Sequence, residues 1–184
     1  MNYEKMTLSE LMDELIVSTK KAYPFFIAGA FYWIAVLIVG QLFSEKITAL
    51  IYIIAMGSIF PLAMLFGKLL NIEFMTSKNP LATLTGIVGG MQAFFIPIWI
   101  VTYMESYEYV PFMVGILAAT HFLPFTWIYK SKAYLFLTIS SVITSFVFGY
   151  IFIGQAFLFV PISQALIHIT TCVWLISESK QYNK

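Results

Sequence analysis

The chain is predicted to be an all-α integral membrane bundle, six spanning helices preceded by one short amphipathic helix. Three observations predict it. Hydrophobic residues make up 60% of the 184 and charged residues only 10%. Long runs carry no charge at all: Ala22–Ser44, Ile47–Gly67, Asn79–Met104, Tyr109–Tyr129 and Ala133–Ser177. Nine of the ten lysines then fall on one side of the spans these runs define.

A helix needs about 20 apolar residues to cross the ~30 Å hydrocarbon layer, so each of the first four runs supplies one crossing. The last is too long for one, and Gly149, Gly154 and Gln155 offer a break near its middle. The predicted spans are 23–43, 47–70, 81–103, 109–129, 133–152 and 156–177. Transmembrane β-strands would alternate apolar and polar residues, and runs such as Ile51-Tyr52-Ile53-Ile54-Ala55-Met56 do not.

With six spans the amino end, the second and fourth loops and the carboxyl end share a side. That side holds Lys5, Lys20, Lys21, Lys68, Lys78, Lys130, Lys132, Lys180 and Lys184, against Lys46 alone opposite. The positive-inside bias then places both termini in the cytoplasm and the bundle in the cell membrane. A cleaved signal peptide is not expected, because the first apolar run begins late and is long enough to span.

Residues 1–22 form the extramembrane element and 23–184 the bundle. Thr7-Leu-Ser-Glu10 has the form of a capping box. Leu8, Leu11, Met12, Leu15 and Ile16 recur at helical spacing, with Glu10, Asp13 and Glu14 opposite. An acidic face is repelled by anionic lipid, so this helix is expected to pack on its own bundle or on a protein partner; a solvated lead-in helix at the interface is the alternative.

Composition excludes several classes. Six spans leave no room for a soluble catalytic domain. One cysteine, Cys172, excludes an intramolecular disulfide and a cysteine-pair zinc site. The absence of arginine removes the bidentate phosphate clamp, and no basic or aromatic patch points to nucleic acid. No enzyme, cofactor or metal is expected.

Within the spans, polar residues are few. His121 and His168 each lie about 18 Å from the outer end of their helices, so they sit at similar depth. His168 shares a stripe with Pro161, Gln164, Thr171 and Cys172, which should face the interior. Gln92 lies at the midplane, and Thr138, Ser141 and Ser145 mark a polar face on the fifth span. Three readings stand for Gln92, His121, Gln164, His168, Thr171 and Cys172: interhelical hydrogen bonds, a pocket or pathway for protons, ions or a small solute, or a metal or haem site on His121, His168 and Cys172. No Asp or Glu lies within a span, which argues against carboxylate-coupled transport.

Pro61, Pro97 and Pro124 fall inside the second, third and fourth spans, where each removes a backbone bond and tends to kink the helix. Pro24, Pro80 and Pro111 sit at helix starts. Gly86 and Gly90 permit close helix approach; the expected partner lies inside the chain, a second copy being the alternative. Lys68 is read as a snorkelling interface anchor.

The block Pro61-Leu-Ala-Met-Leu-Phe-Gly-Lys68, the loop Asn79-Pro80-Leu81 and His121-Phe-Leu-Pro124-Phe-Thr-Trp127-Ile-Tyr-Lys130-Ser-Lys132-Ala-Tyr134 resemble an uncharacterised family of small bacterial integral membrane proteins, a domain of unknown function. The resemblance implies a bacterial inner-membrane setting and no particular activity. It draws attention to His121 and Pro124, which share a helix face at i and i+3, with Trp127 and Lys130 following toward the interface. Two functions remain: a small permease or channel-like protein with a midplane polar pocket, or a non-transporting accessory or sensor subunit that docks a partner through its amino-terminal helix.

Overall fold

The computed structural model describes residues 3–74 and 78–182. Among them there is no strand. The α-helices are α1 (Leu8–Thr19), α2 (Pro24–Leu42), α3 (Glu45–Met56), α4 (Ile59–Leu69), α5 (Pro80–Gly90), α6 (Ile96–Ser106), α7 (Val110–Thr120), α8 (Leu123–Ile128), α9 (Lys132–Phe146) and α10 (Ala156–Tyr182). Prolines open α2, α5 and α7 within their first two positions, where the missing N–H has no intrahelical acceptor to lose.

Among the described residues four helical stretches are long and apolar enough to cross a membrane, and the bent pair α3–α4 adds a fifth. One of them, Pro80–Ile128, runs for 49 residues. Straight, it would reach about 73 Å, more than twice the hydrocarbon thickness. It turns instead at Ser106, whose φ of −160° and ψ of 77° are not helical. Beyond Ser106, α7 packs back on α6 and α8 returns beside α5. The stretch is a hairpin of two passes, and the bundle has six.

The chain reverses consistently between two ends. At one end Asn79 and Lys130 meet α1, and Glu178 meets the α1–α2 junction. These groups belong to the amino segment, the second and fourth loops and the carboxyl segment, which the lysine pattern places together. Lys184, counted with them, lies outside the described residues. At the opposite end Tyr107–Tyr109 packs against α3 and against the turn Ile153–Gln155. The fifth span ends in a π-helical turn, Val147–Ile151, and Phe152 leaves helical geometry where the glycines predict a break.

The amino-terminal helix docks on its own bundle. Thr7 forms the capping box: its hydroxyl accepts from the Glu10 N–H, and its own N–H donates to the Glu10 carboxylate at 2.7 Å. Those bonds hold the Glu10 carboxyl below its ordinary range. Met12, Leu15 and Ile16 are buried in a cluster that includes Tyr129, Tyr134 and Leu175, while Leu8 stays exposed. The acidic face has partners as well. Glu14 accepts from the Asn79 amide at 2.6 Å, and Asp13 pairs with Lys130 at 2.8 Å. Lys130, read from sequence as an interface anchor, therefore also holds α1 down.

Between α1 and α2, Lys20, Lys21 and Ala22 all adopt left-handed backbone, φ 52–54°. Each such non-glycine residue costs about 1–2 kcal/mol. The turn is held by Lys21, which is 1% exposed and paired with Glu178 at 2.6 Å. The Lys21 carbonyl accepts from the Tyr134 hydroxyl at 2.7 Å, and its ammonium lies 5.1 Å from the Tyr182 ring centre.

Three spans are interrupted, and they are the three in which interior prolines are expected to kink the helix. The second bends by 50° between α3 and α4 at Gly57–Ser58. The third narrows to a 3-10 segment, Met91–Phe95, between α5 and α6. The fourth breaks at His121–Phe122 between α7 and α8, so His121 and Pro124 do not share one continuous helix face. The cause is the same in each. Pro61, Pro97 and Pro124 cannot bond the carbonyls four residues back, those of Gly57, Ala93 and Thr120, and each break falls at or beside that residue.

Removing one member of a buried ion pair leaves an uncompensated charge, at a cost of about 3–5 kcal/mol when both are fully enclosed. Glu178 is 21% exposed, so Glu178→Ala is expected to cost less, about 2 kcal/mol. Lys21→Met with Glu178→Leu should recover most of that loss. Denaturation of detergent-solubilised protein by added SDS measures both, and equal stability of the two variants would remove the pair from this role.

Candidate functional site

The three breaks face one another. A cavity of about 630 Å³ is walled by Gly57 from the bend in the second span, Gln92 and Ala93 from the 3-10 segment of the third, and His121 and Phe122 from the break in the fourth. The first and sixth spans close the far side with Gly29, Trp33 and His168. Its volume lies within the range of small-molecule sites, about 300–1,000 Å³. The lining is mostly apolar and aromatic, and includes no Asp, Glu or Lys.

Polar groups gather at its inner wall. The Gln92 amide nitrogen lies 3.0 Å from His121 Nδ1, joining the third and fourth spans at their breaks. His168 Nδ1 donates to the Gln164 carbonyl at 2.8 Å. That bond puts a proton on Nδ1, so in the neutral ring Nε2 is the acceptor. The ring lies directly on Gly29, where an added Cβ would overlap its Cδ2 and come within 2.9 Å of Nε2. Phe26, Trp33 and Phe122 surround it at ring-centre distances of 6.1–6.4 Å. Trp99, also on the wall, has a buried indole N–H with no partner among the described residues.

The six sequence-predicted site residues divide into two groups. Gln92, His121 and His168 line the cavity. Gln164 does not: its amide donates to the Ser141 carbonyl at 3.1 Å and to Ser145 Oγ at 2.9 Å, binding the sixth span to the fifth. Gly115 gives Ser145 its space, since a Cβ there would overlap the hydroxyl. Thr171 is buried, its hydroxyl without a partner among the described residues, and Cys172 lies beside the Tyr23 carbonyl; neither is on the cavity wall. Lys68 and Trp127 are exposed near the lysine-rich end.

Gly86 and Gly90 meet no other helix of the chain, against the expectation of an internal partner. A Cβ at either would have nothing within 4 Å, and both border the cavity. Sequence reasoning missed Gly29, Trp33, Gly57 and Trp99. Gly57 was readable, lying four residues before Pro61; the tryptophans carry no signal that separates cavity wall from packed core. Among the described residues no group of three or more His, Cys, Asp or Glu gathers to hold a metal ion.

The chain belongs to a family of unknown function, DUF7010, whose model matches residues 8–178. No curated protein and no solved structure matches it.

Overpacking a filled site costs about 1–3 kcal/mol. Gly29→Ala should show that cost, and His168→Ala in the same chain should relieve it. Gly90→Ala should be neutral or stabilising by up to about 1 kcal/mol, since alanine favours helix and meets open space. SDS denaturation of the three variants checks this; an unperturbed Gly29→Ala would mean that the histidine ring does not rest there.

Proposed function

We propose that this protein is a small permease or channel-like protein of a bacterial inner membrane, with both termini in the cytoplasm, and that its substrate rests in the cavity between the broken spans. It binds and moves that substrate without covalent chemistry. One observation carries the reading: three consecutive spans are interrupted at comparable depth, and all three interruptions face one cavity. Irregular backbone at membrane depth is tolerated where it is buried in protein or lines a cavity. Broken helices around a midplane site are also the arrangement secondary transporters use. The lysine-rich end, with Lys20, Lys21, Lys68, Lys130 and Lys132 gathered there, supports the cytoplasmic orientation.

The accessory or sensor reading requires a free apolar stripe on α1, yet Met12, Leu15 and Ile16 are buried against the chain's own bundle. A nucleophile is no better supported. Cys172 stands one helical turn from His168 but lies outside the cavity, with no carboxylate to orient a base.

Trp33 and Trp99 line the cavity and are each 2% exposed, whereas Trp127 and Trp174 face outward. In the Trp127→Phe/Trp174→Phe protein, acrylamide should therefore quench the remaining fluorescence only by entering the cavity. Ala93→Phe, which fills part of that space, should cut the quenching at least twofold. Absence of acrylamide quenching in the unfilled protein would refute a pocket reached from water.

A further inference from the structure

Aromatic rings stand toward both ends of the cavity, and its side between the second and third spans has no such closure. Toward the lysine-rich end it is shut by aromatic rings. Phe25 packs on Phe60 at 6.1 Å and edge-on against Phe74 at 5.3 Å, and Phe74 in turn lies against Gly67. Toward the other end stand Trp33, edge-on to Tyr52 at 6.0 Å, and Trp99, edge-on to Phe95 at 6.3 Å. Between the second and third spans there is no such closure. The helix α4 packs on α2 and makes no comparable contact with α5. The α5 glycines on that side meet nothing within 4 Å. The lining residues Ile54 and Phe60 are 69% and 52% exposed, at positions well inside the second span.

The chemistry of the wall limits what can arrive this way. It offers no charge, and an ion at membrane depth costs several kcal/mol or more without a counter-charge. It does offer an acceptor in His168 Nε2 and both kinds of group in the Gln92–His121 pair. A hydroxyl, which both donates and accepts, satisfies such a set, while the apolar remainder of the wall suits a hydrocarbon tail.

Building on the pocket reading above, we infer that the ligand is a neutral, hydroxyl-bearing amphiphile that enters sideways from the bilayer through the gap between α4 and α5. Its head reaches Gln92, His121 and His168, and its chain lies along the α5 glycines. Gly86 and Gly90 have no side chains because the tail occupies that space.

The test uses the full chain with Trp127→Phe and Trp174→Phe, reconstituted in phosphatidylcholine vesicles. The probe is a monoacylglycerol with a brominated acyl chain, since bromine quenches indole on contact and bulk lipid does not touch Trp33 or Trp99. Quenching should saturate with mole fraction, exceed that of brominated phosphatidylcholine at least threefold and reverse with unbrominated monoacylglycerol. Aqueous iodide should not quench. Gly90→Leu, and independently Gly86→Leu, should abolish the saturable component; both changes favour helix, so loss of fold is not expected. If acrylamide quenches but brominated monoacylglycerol does no better than the phospholipid, lipid loading is wrong while the pocket stands. Quenching by iodide would assign the pocket to a water-soluble solute instead. Failure of acrylamide and of the monoacylglycerol alike would remove the pocket and this inference together.

Discussion

Hydrocarbon supplies no hydrogen-bond partner to a backbone carbonyl, and that constraint decides where these helices can break. A proline inside a span strands the carbonyl four residues back, so the interruption must be sheltered by protein or border a cavity. Pro61, Pro97 and Pro124 place three such interruptions in the second, third and fourth spans. All three turn toward the same space, and the cavity follows from that convergence. Gln92 and His121 then sit on backbone that has left regular α-helix or stands at its break, facing each other at 3.0 Å.

The lysine-rich end answers a different constraint. Four segments meet there, and each contributes a polar group to another: Lys21 to Glu178, Asn79 to Leu11 and Glu14, Lys130 to Ser9 and Asp13. Exposed ion pairs of this kind contribute little singly. The Lys21–Glu178 pair differs because Lys21 is enclosed, and because three left-handed residues in succession need tertiary support. These contacts set the position of α1 across the ends of α5, α8 and α10, and hence where the first span begins.

Much of this was legible in the sequence. The charge-free runs and one-sided lysines define six passes, and the Thr7–Glu10 spacing marks the capping box. Proline positions foretell kinks, and subtracting four from each foretells their depth. What was not legible depends on rotation about helix axes. Gln164 and His168 share a stripe, yet one binds the fifth span and the other lines the cavity; one helical turn of spacing does not separate those outcomes. Gly86 and Gly90 read as a helix-packing motif because small residues serve close approach, and only the placement of α4 on α2 leaves them open. Glu178 carried a signal that went unused: it is the one acidic residue after Glu108 in a chain whose carboxyl segment is otherwise basic.

The two walls of the cavity differ in how continuous their helices are. One wall is α2 and α10, long helices in extensive mutual contact, with α10 running 27 residues. It contributes His168, held in place by its bond to the Gln164 carbonyl and by contact with Gly29. The other wall consists of helical pieces of 12 residues or fewer on either side of each break. It contributes Gln92 and His121. Hinges absorb backbone change at a few element-terminal positions, and here all of those positions lie on the second wall. On the proposed reading, a substrate would lie between His168 on the continuous wall and His121 on the broken one. The three prolines that made the cavity thus also decide which of its walls is built from short pieces.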